Sequence, residues 1–231
     1  MKQPVIPKDK RRLRIRGSTF YIVAAIAGLA GPVLFGLLST IAGLLWPGYD
    51  PVRQTISQLA LGPQGRLQTA VFFLLSFLAM LFVIGLYPNV RDGIRLRIGI
   101  TLLFLSGFGF LLIGIFPNDP PETIMTLRGL IHQTTIEAIS ILFPFACFPI
   151  VPSLKHDPRW ENLATYTFIT GVLGIILDII GGMILLTHWL EPWFGLYERI
   201  LTANALVWLE VMAIRLLLLS MSERREESRL A

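Results

Sequence analysis

Three acidic residues stand inside long apolar stretches of this chain: Glu137, Asp178 and Glu210. A carboxyl group in hydrocarbon is expensive, so each needs a partner, a proton or a task. Counted from the ends of their stretches at 1.5 Å per residue, they fall roughly 12–15 Å deep, near one level. Acids gathered there could pass protons or hydrogen-bond a ligand. Gln133, Glu137 and Ser140 recur at i, i+4 and i+7 and so share a helix face. His132 and Thr135 occupy a neighbouring stripe, and a polar seam runs inward from one surface. The histidines suggest a second chemistry, in which His132 and His188 with nearby carboxylates hold a metal that activates water for lipid hydrolysis. His132 and Glu137 are five residues apart, about 140° round a helix, so they make no same-face ligand pair. The sequence holds no H-E-x-x-H and no C-x-x-C. No metal site is favoured and no cofactor is expected. The lone Cys147 lies in an apolar run and reads as a packed thiol.

The elements that position these groups follow from composition. Of 231 residues, 54% are hydrophobic and 15% charged, with a mean hydropathy of +0.66. A soluble domain carries about 25% charge. An ordinary cytosolic domain, a disordered tail and a disulfide scaffold are excluded. Six apolar stretches, near 20–46, 69–87, 98–116, 130–151, 163–186 and 200–219, are each long enough to cross a hydrocarbon core of about 30 Å. Backbone groups in lipid must satisfy one another, so these are predicted helices. The expectation is an all-α polytopic protein: one six-helix transmembrane domain over 18–219, a basic tail over 1–17 and a second tail over 220–231. The first stretch is too long for a signal-peptide core and no A-x-A cleavage site follows it, so it is expected to be retained.

Charge sets the expected orientation. The two tails and the even connections hold fifteen of the Lys and Arg residues, and the odd connections only Arg53, Arg66, Arg128 and Arg199. The positive-inside rule then puts both termini in the cytoplasm of a plasma-membrane protein. Arg215, near the inner end of the last span, is expected to snorkel to phosphates. The net charge of +5 lies mostly beside apolar segments. Membrane lipids are therefore the expected partners, and nucleic acid is not. Recurrent small residues (Gly28 and Gly31, Gly107 and Gly109, Gly171 and Gly174, Gly181 and Gly182) read as close helix contacts.

The first outer connection is the most patterned. Asp50 is a good helix N-cap, Pro51 suits the first helical position, and Gly62-Pro63 is a stop signal. Val52, Ile56, Leu59 and Ala60 keep near one face. The spacing predicts a short amphipathic helix on the outer surface of the bundle, sealing it or presenting Arg53 to an anionic headgroup.

The string Asp50-Pro51-x-Arg53-x-x-Ile56-Ser57-x-Leu59 resembles the signature of the integral membrane family called domain of unknown function 998. The Phe116-Pro117-Asn118-Asp119 exit from the third span, His132 beyond it and the six-span plan fit as well. The resemblance implies a polytopic bundle and no established chemistry. It would make Asp50, Arg53, Ser57, Asp119 and His132 family-like positions on the outer side.

The sequence contains no Walker lysine loop, no G-x-G-x-x-G after a strand and no G-x-S-x-G elbow. The expected role is non-enzymatic, an outward-open polar cavity that binds or moves a lipid or small molecule. The candidate ligand-binding residues are Arg53, Asp119 and His132 at the mouth, then Gln133, Glu137, Asp178 and Glu210 within. The alternatives are a membrane-embedded lipid hydrolase with a metal at His132 and Asp119, and a structural or assembly subunit of a membrane complex.

Overall fold

The computed structural model describes residues 19–91, 93–121, 123–187 and 189–230. The expected basic tail and His188 lie outside the described residues. Six long helices form the molecule: α1 (Thr19–Leu44), α2 (Gly65–Leu86), α3 (Ile94–Ile115), α4 (Leu127–Lys155), α5 (Ala164–Thr187) and α6 (Phe194–Leu230). There is no strand among the described residues. All six helices are long and apolar enough to span a membrane. The chain is an all-α, multi-pass integral membrane protein. Its outward-facing apolar side chains, such as Val33, Leu37, Phe77 and Ile179, are those that lipid would solvate.

Each helix packs on the next in sequence, and α1 packs on α6, so the six close into a ring. The connections α1–α2, α3–α4 and α5–α6 gather at one end, the odd-loop end. The connections α2–α3 and α4–α5 gather at the other.

Small residues permit the close contacts, as their spacing predicts. A Cβ on Gly28 would stand 2.6 Å from Phe82 and 2.8 Å from Ala213, so this glycine lets α1 approach α2 and α6 together. A Cβ on Gly109 would meet Ile139 of α4 at 2.4 Å, and one on Gly174 would meet Pro144 at 2.7 Å. Gly182 differs from them, with nothing within 4 Å.

The even-loop end is tied by a buried ion pair. Asp157, fully buried, accepts from Arg159 Nη2 at 2.8 Å and Nε at 3.0 Å. Arg159 also donates to the Asn89 carbonyl, which Trp160 Nε1 reaches at 2.8 Å. Arg215 does not rely on lipid alone. Its Nε donates to the Arg159 carbonyl at 2.7 Å, joining α6 to the α4–α5 connection.

Two boundaries differ from expectation. First, α6 begins at Phe194 rather than near 200 and continues to Leu230. Glu210 is thus sixteen residues into its helix, about 24 Å along it. Glu137 is ten residues into α4, about 15 Å. Asp178 is nine residues from the odd-loop end of α5, about 14 Å, so Glu210 alone leaves the common level. Second, the α1–α2 connection is not a helix from Pro51. It makes a turn at Asp50–Gln54 and then a short 3-10 helix, Ser57–Leu61, closed at Gly62.

Gly28→Val should lower the unfolding midpoint in detergent, at a cost of about 1–3 kcal/mol from overpacking. Gly182→Ala should be neutral or stabilising by up to about 1 kcal/mol, since it removes helix-interior glycine entropy and meets nothing. Thermal melts followed by circular dichroism would compare the two. Equal losses would contradict the close three-helix contact.

Candidate functional site

The 49–57 stretch leaves the helical pattern because its backbone groups are taken up by α6. Arg199 Nη1 donates to the carbonyls of Pro51 (2.7 Å), Gln54 (2.8 Å) and Gly195 (2.8 Å). Its Nη2 donates to the Tyr49 phenol oxygen. Tyr49 in turn donates to the Thr55 carbonyl at 2.9 Å. Burial raises the Tyr49 pKa from its ordinary value, so the phenol stays a donor at neutral pH. Glu198 works from the same helix turn. One carboxylate oxygen accepts from the Ile56 N–H and the other from Ser57 Oγ at 3.5 Å. The Leu196 N–H, in the first turn of α6, donates to the Val52 carbonyl at 2.9 Å. Gly195 makes this docking sterically possible, since a Cβ there would lie 2.4 Å from the Gln54 carbonyl oxygen. Gly48, at φ +83°, supplies the left-handed turn that starts the segment.

Under this docked segment a partly open cavity of about 130 Å³ lies within the ring. Its wall is mostly apolar and rich in aromatic rings. The few polar groups include Ser57, Ser140, Thr202 and Glu198. A lateral crevice of about 320 Å³ lies beside α1 and α6. Ser39, Thr40, Tyr49 and Arg199 line the crevice, while Phe35, Ile56, Thr202 and Leu206 belong to both walls.

The residues chosen from sequence are distributed differently. Arg53 is exposed, with its Nε 3.5 Å from Asp50, and lines neither cavity. Gln133 donates to Glu137 at 3.1 Å within α4, and Glu137 is exposed. Asp178 lies near Ser140 of α4 and Tyr197 of α6. Its Oδ1 is buried without a hydrogen-bond partner among the described residues. Glu210 lies toward Tyr166 of α5. None of Glu137, Asp178 and Glu210 lines the central cavity, so the three do not converge there. The cavity is also less polar than the seam on α4 implies, because that seam turns away from the ring axis above Ser140.

Asp119 and His132 form a structural clasp. Asp119 accepts from the Thr126 N–H (2.7 Å) and hydroxyl (2.8 Å), and Thr126 caps α4 by accepting from the Gly129 N–H. Those bonds hold the Asp119 carboxyl below its ordinary pKa. His132 is fully buried, with Nδ1 2.7 Å from the Phe116 carbonyl. Among the described residues no group of three His, Cys, Asp or Glu could hold a metal ion. Asp119 is engaged by the cap and His132 Nδ1 by the Phe116 carbonyl, while His132 Nε2 is buried without a hydrogen-bond partner among the described residues.

Glu198, Tyr49 and the aromatic wall were not legible as site residues. Placing the sixth span near 200 left Glu198 in a connection, and Tyr49 falls outside the apolar stretches. The available signal was the Glu198-Arg199 pair itself, three residues after a glycine and opposite the patterned 50–59 string.

Arg199→Met should cost about 3 kcal/mol, since it strips a charged donor from several acceptors. It should also speed trypsin cleavage after the exposed Arg53. Unchanged cleavage and stability would contradict the docking. For Asp119 the pKa is depressed, so its contribution is complete above the ordinary carboxyl range of about 4. It is lost as pH falls through the lower native value. The wild-type melting midpoint should fall on acidification below that range. Asp119→Asn should melt lower at pH 7 and show a flatter acid limb, with parallel curves counting against the clasp.

A family model described as "Protein of unknown function (DUF998)" matches residues 29–215. No curated protein and no solved structure matches the chain. The match covers most of the chain, from within α1 to Arg215, and the protein belongs to that family.

Proposed function

We propose that this family member binds or moves a lipid or small molecule whose apolar part enters the central cavity by way of the α1–α6 crevice. The observation that supports this reading is the shared wall. Phe35, Ile56, Thr202 and Leu206 line both spaces, so the crevice against α1 and α6 adjoins the central cavity through those four side chains. The crevice also offers hydrogen-bonding groups at its odd-loop end. Ser39 is buried there, its hydroxyl without a partner among the described residues, near Tyr49 and Arg199. Apolar lining with a few placed polar groups is the usual composition of a small-molecule site.

The charge asymmetry supports placing the odd-loop end outside and both termini in the cytoplasm, in a plasma membrane. In that orientation the crevice opens to the outer leaflet. The cavity residues proposed to meet the ligand are Ser57, Ser140, Glu198 and Thr202, with Tyr49 and Arg199 at the crevice. The geometry favours no catalytic step at this site.

Native mass spectrometry of protein released from nanodiscs should detect a retained organic adduct near one per chain. Ala205→Phe, which fills the cavity wall, should reduce occupancy about tenfold or more while the protein stays folded. A bare mass, or an adduct indifferent to Ala205→Phe, would overturn the cavity reading and favour an assembly subunit.

A further inference from the structure

The wall of the central cavity contains one acid, Glu198, and among the described residues no base. Glu198 forms no salt bridge among those residues; its oxygens take the Ile56 N–H and the Ser57 hydroxyl. The adjacent Arg199 is held by three carbonyls and the Tyr49 phenol, and it lines the crevice rather than the central cavity. From inside the cavity, the Glu198 carboxyl faces no cationic side chain among the described residues.

The remaining wall is suited to complete such a site. Phe35 packs against Phe72 and Phe110, with ring centroids 6.1 and 6.2 Å apart. Deeper in, Phe143 meets Trp208 edge-to-face at 5.7 Å. Aromatic faces are electron-rich and attract a cation within about 6 Å of the ring centre. A carboxylate in an apolar, aromatic box repels an anion and gives a neutral ligand only contact area. A cation gains both the counter-charge and the ring faces, and the low dielectric magnifies the difference.

Resting on the reading above that the cavity takes a ligand, we infer that the ligand class is an organic cation. It is a protonated amine or quaternary ammonium on a small apolar body, with its charged end toward Glu198. Size agrees with a small body, because an engineered apolar cavity of about 150 Å³ holds one benzene molecule. The hydroxyls of Ser57 and Thr202 lie in the same wall and can accept from an ammonium N–H.

The test uses three water-soluble probes of one shape: benzylammonium, benzyl alcohol and benzoate. Equilibrium dialysis at pH 7 would compare phosphatidylcholine nanodiscs with and without the full-length protein. Benzylammonium should bind about tenfold more tightly than benzyl alcohol, and benzoate most weakly. Glu198→Gln should bring benzylammonium within about twofold of the alcohol and leave the alcohol unchanged. Phe110→Leu, which keeps Glu198, should weaken benzylammonium about threefold and spare the alcohol. This variant keeps the inference testable if Glu198→Gln does not fold. Equal binding of the three probes, or preference for benzoate, would overturn the cation assignment and leave the ligand cavity standing. Binding of none of them, with no retained adduct in the mass spectrum, would remove both.

Discussion

A chain that leaves one transmembrane helix and enters the next must find partners for every backbone group it exposes near lipid. In this protein that constraint is met for the first connection by one turn of the last helix. Arg199 gathers carbonyls from residues 51, 54 and 195, and Glu198 takes the N–H of Ile56. The helices α1 and α6, which pack on each other, are the farthest apart in sequence. The docking therefore links the start of the bundle to its end and covers the ring axis. It also consumes the groups that would otherwise continue a helix through 51–57, and so the amphipathic helix expected there becomes a turn and a short 3-10 helix.

The two ends of the bundle are held by different chemistry. At the odd-loop end a cation meets neutral carbonyls, and an acid meets an N–H and a hydroxyl. At the other end Asp157 and Arg159 pair directly and recruit Asn89, Trp160 and Arg215. The direct pair leaves no charge available to a ligand. The arrangement at the odd-loop end leaves Glu198 in the cavity wall without a salt bridge among the described residues. Stability and a potential binding site thus depend on the same residue.

Several residues that resemble a site in sequence have structural duties. Asp119 and His132 close the α3–α4 connection, one through the cap of α4 and the other through the Phe116 carbonyl. The family-like strings Asp50–Leu59 and Phe116–Asp119 are both places where a chain reverses at a helix end. Their residue types are those that satisfy orphan backbone groups, which accounts for their pattern without any chemistry on a substrate.

The sequence by itself determined the six spans, their helical character, the small-residue contacts and the family. These depend on local quantities, namely the length of apolar runs, the need for internal backbone hydrogen bonds and the absence of side-chain bulk at glycine. The depth of the acids was readable only as far as helix ends were. The start of α6 at Phe194 shifted Glu210 away from Glu137 and brought Glu198 into the fold. Which side chains face the ring axis was decided only by tertiary structure. Most of the circumference of each span is apolar, so hydropathy does not distinguish a lipid-facing surface from a cavity wall. Only the closure of α1 on α6 showed that Glu137 points outward while Glu198, Phe110 and Trp208 line one cavity.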